Sequence, residues 1–190
     1  MWKKAISTFC EWKGRATYWT VDTGSARVER GAWSYPDPTG RFAFAGSQDY
    51  SVWRFDVESG AKTQLADADA WVRGIAFDRD GTTLVTGGYD GRLIWWPVGG
   101  EKPKPIRTID AHQGWIRAIA VSPDGTLLAS GGNDLVVRLW NMLDGKLIRE
   151  MAGHESHIYN VQFHPDGSQL ATGDLKCTPC SVILRIAPSE

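Results

Sequence analysis

The sequence is poor in cysteine, carries no excess of either charge and has no long apolar run. Its 190 residues include three cysteines, which is neither a disulfide framework nor a four-ligand zinc set. A formal net charge of −1 argues against the broad basic surface of a nucleic-acid-binding protein and against an acidic tail. The apolar stretch after Lys3-Lys4 is too short for a signal peptide, and no stretch approaches a membrane span. These absences favour a cytoplasmic protein without membrane contact, but a missing upstream segment would hide an export signal.

Two of the cysteines, Cys177 and Cys180, have the spacing of a redox or metal-binding pair. A redox dithiol normally opens a helix beside a βαβ unit, and this sequence predicts no such unit. Zinc would need two further ligands, which Cys10 alone cannot supply, and Ser181 excludes the haem-attachment pattern. We therefore interpret the pair as accidental and expect neither a metal site nor a cofactor.

Glycine and tryptophan, by contrast, are abundant, with 21 and 10 copies. The stretch 71–81 matches the stretch 115–125 position for position, and each ends in Asp-Gly. The turn glycines Gly40, Gly81, Gly125 and Gly167 are 41, 44 and 42 residues apart. Apolar and β-branched runs between such turns predict antiparallel hairpins. A period of about 40–45 residues with four short strands per unit is typical of a β-propeller blade.

Three short motifs connect this repeat to a known family. Gly153-His154, Ser122-Pro123-Asp124-Gly125 and Leu139-Trp140-Asn141 resemble the WD-repeat β-propellers, and the resemblance stays in register over roughly residues 30–175. It implies an all-β fold, a β-propeller of four-stranded antiparallel blades. About four blades and a partial blade are expected, in an open or incomplete ring.

The unit boundaries follow from this alignment. The predicted units are a partial blade of outer strands at 1–29, blade one at 30–65, blade two at 66–108, blade three at 109–150, and an incomplete blade four with an atypical tail at 151–190. In blade four the position of the turn aspartate is held by Lys176, and no closing tryptophan follows.

The resemblance also implies a structural set of hydrogen-bonding side chains in each blade. In blade three the aspartate accepts from the imidazole, the imidazole contacts the hydroxyl, and the hydroxyl contacts the indole N–H, so that each buried polar group is satisfied. Ala68 stands at the histidine position of blade two, and blade four lacks the aspartate and the tryptophan. The residues assigned to the set are His112, Ser130, Asp134 and Trp140 in blade three, Thr86, Asp90 and Trp96 in blade two, and His154 and Thr172 in blade four.

A serine, a histidine and an aspartate in one unit also suggest a hydrolase triad. Ser130 lies on an internal strand, however, and the sequence has no nucleophile-elbow motif. In the resembled family the same trio is structural. We therefore predict no catalytic residues and no enzymatic activity.

The resemblance places a further group of side chains on one face of the propeller. Trp, Tyr and Arg predominate in this group, and these types dominate binding hot spots. The predicted partner-binding residues are Gln48, Trp71, Arg73, Tyr89, Trp115, Arg117, Asn133, His157 and Tyr159. Two alternatives stay open: the two tryptophans only pack over the neighbouring blade, or the Arg and Trp side chains stack on single-stranded nucleic acid, which the missing basic surplus disfavours.

Together these features predict a non-catalytic scaffold that binds a protein or peptide partner on this face. The alternative is a truncated or split propeller segment with a structural role, which completes a larger or oligomeric propeller by self-association through open blade edges.

Overall fold

The computed structural model describes residues 34–36, 40–46, 50–65, 70–100, 103–176 and 181–185, with the backbone alone considered at 34–36 and 181–185. Every regular element in these ranges is a β-strand, and the strands form four separate antiparallel sheets. The predicted all-β fold is therefore confirmed. No helix in the described ranges is long and apolar enough to cross a membrane.

Each sheet is a meander in which consecutive strands are neighbours. Sheet 1 contains β1 (Ser34–Pro36), β2 (Phe42–Gly46), β3 (Val52–Asp56) and β4 (Lys62–Leu65). Sheet 2 contains β5 (Val72–Phe77), β6 (Thr83–Gly88), β7 (Arg92–Pro97) and β8 (Arg107–Asp110). Sheet 3 contains β9 (Ile116–Val121), β10 (Leu127–Gly132), β11 (Val137–Asn141) and β12 (Leu147–Met151). Sheet 4 contains β13 (Ile158–Phe163), β14 (Gln169–Asp174) and β15 (Ser181–Arg185).

The hydrophobic core lies between the sheets, in three layers. Leu84 and Trp96 of sheet 2 join the cluster shared with sheet 1, while Val85 and Trp95 join the cluster shared with sheet 3. Successive side chains of a strand point to opposite faces, so neighbouring residues serve neighbouring layers. The third layer joins sheets 3 and 4 in the same way. Sheets 2 and 3 are therefore apolar on both faces.

Side-chain donors add polar links between successive sheets. From sheet 1, Arg54 Nη2 donates to the carbonyl of Gly100, at 2.9 Å, beyond the third strand of sheet 2. From sheet 2, Trp95 Nε1 donates to the carbonyl of Met142, at 3.0 Å, beyond the third strand of sheet 3. In each case a side chain from the third strand of one sheet donates to a carbonyl in the loop after the third strand of the next sheet. These loop carbonyls therefore have hydrogen-bond partners.

A chain of hydrogen bonds fixes the loop before β9 against the turn after β10. Trp140 Nε1 donates to Ser130 Oγ at 2.8 Å, and Ser130 Oγ lies 2.7 Å from His112 Nε2. His112 Nδ1 lies 2.9 Å from Asp134 Oδ1. With the hydrogen on Nδ1, each group donates to the next, and a neutral imidazole satisfies all of them. The Ser130 hydroxyl and the His112 imidazole are buried, so Ser130 is not presented to solvent as a nucleophile.

Two charged residues that sequence reasoning missed extend this chain towards the outer strand. Arg138 Nη1 donates to Asp134 Oδ2 at 2.5 Å, and Arg138 Nε donates to Glu150 Oε1 at 2.6 Å. Nη1 also lies 2.7 Å from His112 Nδ1, but two nitrogens that both carry hydrogens do not bond each other, so both donate to Asp134. The alternation of the strands does not predict these ion pairs, because Arg138 and Glu150 lie at positions typical of ordinary surface charges.

Sheets 2 and 4 contain shorter versions of this hydrogen-bonding set. In sheet 2, Trp96 Nε1 donates to Thr86 Oγ1 at 2.9 Å, and the carboxylate of Asp90 accepts the backbone N–H of Arg92 at 3.1 Å. Ala68, at the predicted histidine position, lies outside the described residues. In sheet 4, His154 Nε2 lies 2.8 Å from Thr172 Oγ1.

The expectation that the fourth unit lacks a carboxylate partner for His154 is wrong. His154 Nδ1 lies 2.9 Å from Asp174 Oδ2, and Asp174 is the last residue of β14 rather than a turn residue. The corresponding position in sheet 2 is Gly88, where an added Cβ would lie 2.7 Å from the carboxylate of Asp90. A carboxylate at the last strand position, as in Asp174, or two residues later, as in Asp90, therefore reaches the same region of its sheet.

Gly91 lies where the turn of sheet 2 meets the segment that leads into sheet 3. Its carbonyl accepts the backbone N–H groups of Ala111 and His112, both at 2.9 Å. Gly91 has a φ of +79°, and an added Cβ would lie 2.2 Å from the carbonyl oxygen of His112. Leu135 has a φ of +67° at the corresponding turn of sheet 3, so the angle alone does not exclude a side chain. The close backbone approach is what requires glycine at this position.

We expect Gly91→Ala to destabilise the chain more than Gly60→Ala. Gly60 has a similar φ of +71° but nothing within 4 Å of its added Cβ, so it isolates the conformational cost, about 1 kcal/mol. The steric overlap at Gly91 adds about 1–3 kcal/mol. Chemical denaturation of the two variants measures the difference, and equal losses would show that the approach of Gly91 to His112 is not constrained.

Acid should destabilise the fold through His112. Burial lowers the pKa of the imidazole below 6.5, although the hydrogen bond to Asp134 opposes this shift. Burial also raises the pKa of the Asp134 carboxyl, but hydrogen bonds from His112 and Arg138 outweigh it and hold the pKa below 3.8. As the pH falls through about 6.5 the unfolded chain takes up the histidine proton first, so stability falls with a limiting slope of about 1.4 kcal/mol per pH unit. Asp134 adds a second loss only below about pH 4.

The measurement is the free energy of unfolding against pH for the wild-type chain, His112→Gln and His164→Gln. His164, whose side chain is 54% exposed and lies 2.7 Å from the exposed carboxylate of Asp166, is the surface-histidine control. His112→Gln should lower stability at pH 7 and flatten the slope between pH 7 and 5, while His164→Gln keeps the wild-type slope. A wild-type slope in His112→Gln would contradict the assignment.

Candidate binding face

The candidate site lies where the segment before the first strand of a sheet meets the turn between its second and third strands. In three sheets the same backbone hydrogen bond joins these two segments. The N–H of Tyr89 donates to the carbonyl of Trp71 at 2.9 Å, and the N–H of Asn133 donates to that of Trp115 at 2.9 Å. The N–H of Leu175 donates to the carbonyl of His157 at 3.1 Å. The predicted residues of successive sheets therefore occupy equivalent positions.

A β-bulge follows in the first strand of each of these sheets. Val72 pairs with Gly88 and Gly74 with Gly87, so Arg73 is the extra residue of the bulge. The same shift leaves Arg117 unpaired between Ile116 and Ala118, and Tyr159 unpaired between Ile158 and Asn160. A bulge redirects the side chain of its extra residue.

The three bulged side chains converge. The guanidinium carbon of Arg117 lies 4.4 Å from the centroid of the Tyr159 ring, and that of Arg73 lies 5.4 Å from the same centroid. Both distances are in the range of cation–π contacts. Residues of three different sheets thus form one cluster, which we name the arginine–tyrosine cluster (Arg73, Arg117 and Tyr159).

An aromatic ladder lies beside this cluster. The rings of Trp71 and Tyr89 have centroids 4.6 Å apart at 41°, and those of Tyr89 and Trp115 are stacked at 4.1 Å and 10°. The ring of Tyr89 therefore lies between the two tryptophans. The indole N–H of Trp71 is buried and has no hydrogen-bond partner in the described part of the chain.

Polar contacts link the ladder to the cluster. Arg117 Nε donates to the side-chain oxygen of Asn133, and its guanidinium carbon lies 5.2 Å from the centroid of the Trp115 ring. Arg73 Nη1 lies 3.4 Å from the hydroxyl of Tyr89. Trp115 is 43% exposed, so the ladder ends in an indole that solvent reaches.

The structure thus brings together seven of the nine predicted face residues: Trp71, Arg73, Tyr89, Trp115, Arg117, Asn133 and Tyr159. His157 holds the equivalent position in sheet 4, and Gln48 lies outside the described residues. Leu175 was missed because the prediction looked for the residue before a turn aspartate. It is 66% exposed and occupies the turn position of Tyr89 and Asn133.

The side chains gathered here are cations, aromatic rings and an amide, which bind ligands by stacking and hydrogen bonding. Among the residues that the structure describes, no group of three His, Cys, Asp or Glu side chains is placed to hold a metal ion.

Family models match the chain in two parts. Residues 62–97, 103–141 and 145–178 match the model described as WD domain, G-beta repeat. Each match begins with the last strand of one sheet and continues into the next, because 62–97 covers β4 to β7, 103–141 covers β8 to β11 and 145–178 covers β12 to β14. Each repeat therefore links two sheets covalently.

Residues 1–60 match a different model, described as a domain of unknown function, DUF427. This range includes β1 to β3, while the first WD match begins on β4, so the strands of sheet 1 are divided between two family matches. The predicted partial blade at 1–29 lies outside the described residues. The unit boundaries remain predictions.

Curated relatives and a solved structure give the same picture for the larger part of the chain. The chain is 24% identical to nuclear distribution protein nudF of Aspergillus niger over 163 residues, which cover 75% of this chain and 37% of the relative. It is 38% identical to eukaryotic translation initiation factor 3 subunit I of Neosartorya fischeri over 97 residues, which cover 50% of this chain and 27% of the relative. A chain in the crystal structure of a mitotic checkpoint complex superposes with a TM-score of 0.69 and 26% identity, covering 77% of this chain and 45% of that one.

The chain thus spans less than half the length of each of these proteins. The WD matches, in contrast, cover more than half of the chain itself, and the four sheets are those of a partial propeller. This chain belongs to the WD-repeat family.

Proposed function

We propose that this chain is a non-catalytic WD-repeat scaffold that binds a peptide segment of a protein partner on the face formed by the aromatic ladder and the arginine–tyrosine cluster. The observation that carries the proposal is the convergence of Arg73, Arg117 and Tyr159, from three sheets, beside the exposed ring of Trp115. Membership of a family whose relatives include scaffold and regulatory proteins supports an interaction role rather than a catalytic one.

The composition of the face fits binding. Tyr, Trp and Arg are the types that dominate hot spots, because they offer a large contact area at a small loss of conformational freedom. Tyr89 and Asn133 hold Trp115 and Arg117 from the side, by stacking and by a hydrogen bond. A face whose side chains are already positioned loses less entropy when a partner binds.

The alternative that the two tryptophans only pack over the neighbouring blade accounts for only part of these contacts. It fits Trp71, whose indole nitrogen is buried, and Tyr89, which is enclosed between two rings. It does not account for Trp115, which is 43% exposed and would gain by covering its free side. We therefore assign Trp115 a role in partner binding and Trp71 a role in supporting the aromatic ladder.

Panning a displayed library of random peptides on the folded chain tests this face. Selected peptides should bind Trp115→Ala and Arg117→Ala chains about thirtyfold more weakly, which corresponds to about 2 kcal/mol for a hot-spot side chain. Ile148→Ala is the matched control, because Ile148 is 54% exposed on the outer strand β12, away from the face. Its binding should stay at the wild-type level.

Thermal melting of each variant shows that the losses do not come from unfolding. If the alanine chains melt far below the wild type, Trp115 and Arg117 belong to packing. If all three variants keep full binding, the partner lies elsewhere on the molecule. Either result contradicts the proposal.

A structural role in a larger or oligomeric propeller is the second candidate, and one observation favours it. On β13, Val161 and Phe163 belong to the core shared with sheet 3, while the alternating residues Asn160 and Gln162 are exposed. The far side of sheet 4 is therefore open to solvent within the described ranges.

Native mass separates the two candidates. A structural segment should assemble into species of two or more chains, and an Asn160→Asp, Gln162→Glu double variant should weaken that assembly through like-charge repulsion at the open side. A monomer of 21.0 kDa at all concentrations would contradict this role.

A further inference from the structure

The arginine–tyrosine cluster concentrates positive charge at one point of the face. Both guanidinium carbons lie within 5.4 Å of the centroid of the Tyr159 ring, so the two cations approach the same ring. The eight face residues in the described part of the chain, Trp71, Arg73, Tyr89, Trp115, Arg117, Asn133, His157 and Tyr159, include these two arginines and no carboxylate.

Two carboxylates that directly follow face residues in the sequence are engaged elsewhere. Asp134 follows Asn133, but its carboxylate accepts from His112 and Arg138. Asp90 follows Tyr89, and its carboxylate accepts the backbone N–H of Arg92. No ion pair found in the described ranges joins Arg117 to a carboxylate, and only its Nε is bound, to Asn133. The terminal nitrogens of Arg117 remain available to a ligand.

The geometry of Arg117 suits a planar anion. A guanidinium fixed at Nε presents its remaining N–H groups in a defined plane, which is the arrangement that binds a carboxylate with two parallel hydrogen bonds. The exposed ring of Trp115, next to Arg117, offers an apolar surface for the methylene groups of an aspartate or glutamate. A nucleic acid would require a wider basic surface than a chain of net charge −1 provides.

We infer that the partner segment is acidic and that a side-chain carboxylate of this segment binds the terminal nitrogens of Arg117, close to the rings of Tyr159 and Trp115. This inference rests on the proposed function and adds the chemistry of the ligand. It follows from an arginine that Asn133 fixes at Nε, that has no carboxylate partner in the described ranges and that lies close to two aromatic rings.

The composition of library-selected peptides tests the inference. Peptides selected on the wild-type chain should be enriched in Asp and Glu relative to the unselected library. Enrichment should disappear on Arg117→Gln chains and persist on Arg149→Gln, the matched control, which removes one charge from the exposed strand β12. Replacing the selected Asp or Glu by Asn or Gln should weaken binding about tenfold or more, as expected for a charge-assisted pair.

Arg117→Lys provides a second variant that keeps the charge. It should fold as the wild type does and still lose most of the affinity for acidic peptides, because lysine lacks the planar fork. Equal effects of Arg149→Gln and Arg117→Gln would overturn the inference, since the net charge of the chain would then explain the binding. Much tighter binding of phosphoserine in place of the carboxylate would also overturn it.

The two proposals fail in different ways. Selected peptides that depend on Trp115 but contain no excess of Asp or Glu would overturn the acidic ligand and leave the binding face in place. Peptides that bind independently of both Trp115 and Arg117 would remove both proposals.

Discussion

The structure depends on sheets that are apolar on both sides. A sheet such as sheet 2, with Leu84 and Trp96 on one face and Val85 and Trp95 on the other, is unstable unless both faces are covered. The covering elements are sheets of the same kind, so the core is divided into layers between repeats rather than collected in one centre. This requirement determines how the sheets lean together and leaves the loops at their ends free to carry function.

The polar side chains complete this arrangement at the places where loops have to be fixed. His112 is bound to the turn of sheet 2 by its backbone and to Ser130 and Asp134 of sheet 3 by its ring. The segment that leads from one sheet to the next is thereby fixed at both ends. Because Trp115 and Asn133 lie next to this segment and to this turn, the buried histidine fixes the backbone that carries the proposed binding face. The structural trio and the proposed binding face thus share one local fold.

Much of the fold was predictable from the sequence, because turn glycines and alternating apolar residues report directly on strand length and spacing. The trio of His112, Ser130 and Asp134 also followed from the motif. Asp174 did not, because its carboxylate comes from a strand position two residues before the expected one. The insertion of Tyr89 between two tryptophans depends on the angle between sheets, which no local pattern records. The bulges could not be predicted for a related reason, because an extra residue in a strand shifts the register without changing the composition. Residues 1–33 lie outside the described ranges, and the partial blade at 1–29 stays a prediction.

The bulges separate the residues of the proposed binding face from the folded core. Arg73, Arg117 and Tyr159 take no part in the ladder pairing of their strands and none in the three core layers. Under the proposed function, an exchange at one of these positions alters ligand preference at little cost in stability. When such a unit is duplicated, each copy carries one variable bulge residue on an unchanged fold. A chain of repeats can then acquire a new binding specificity by a single substitution.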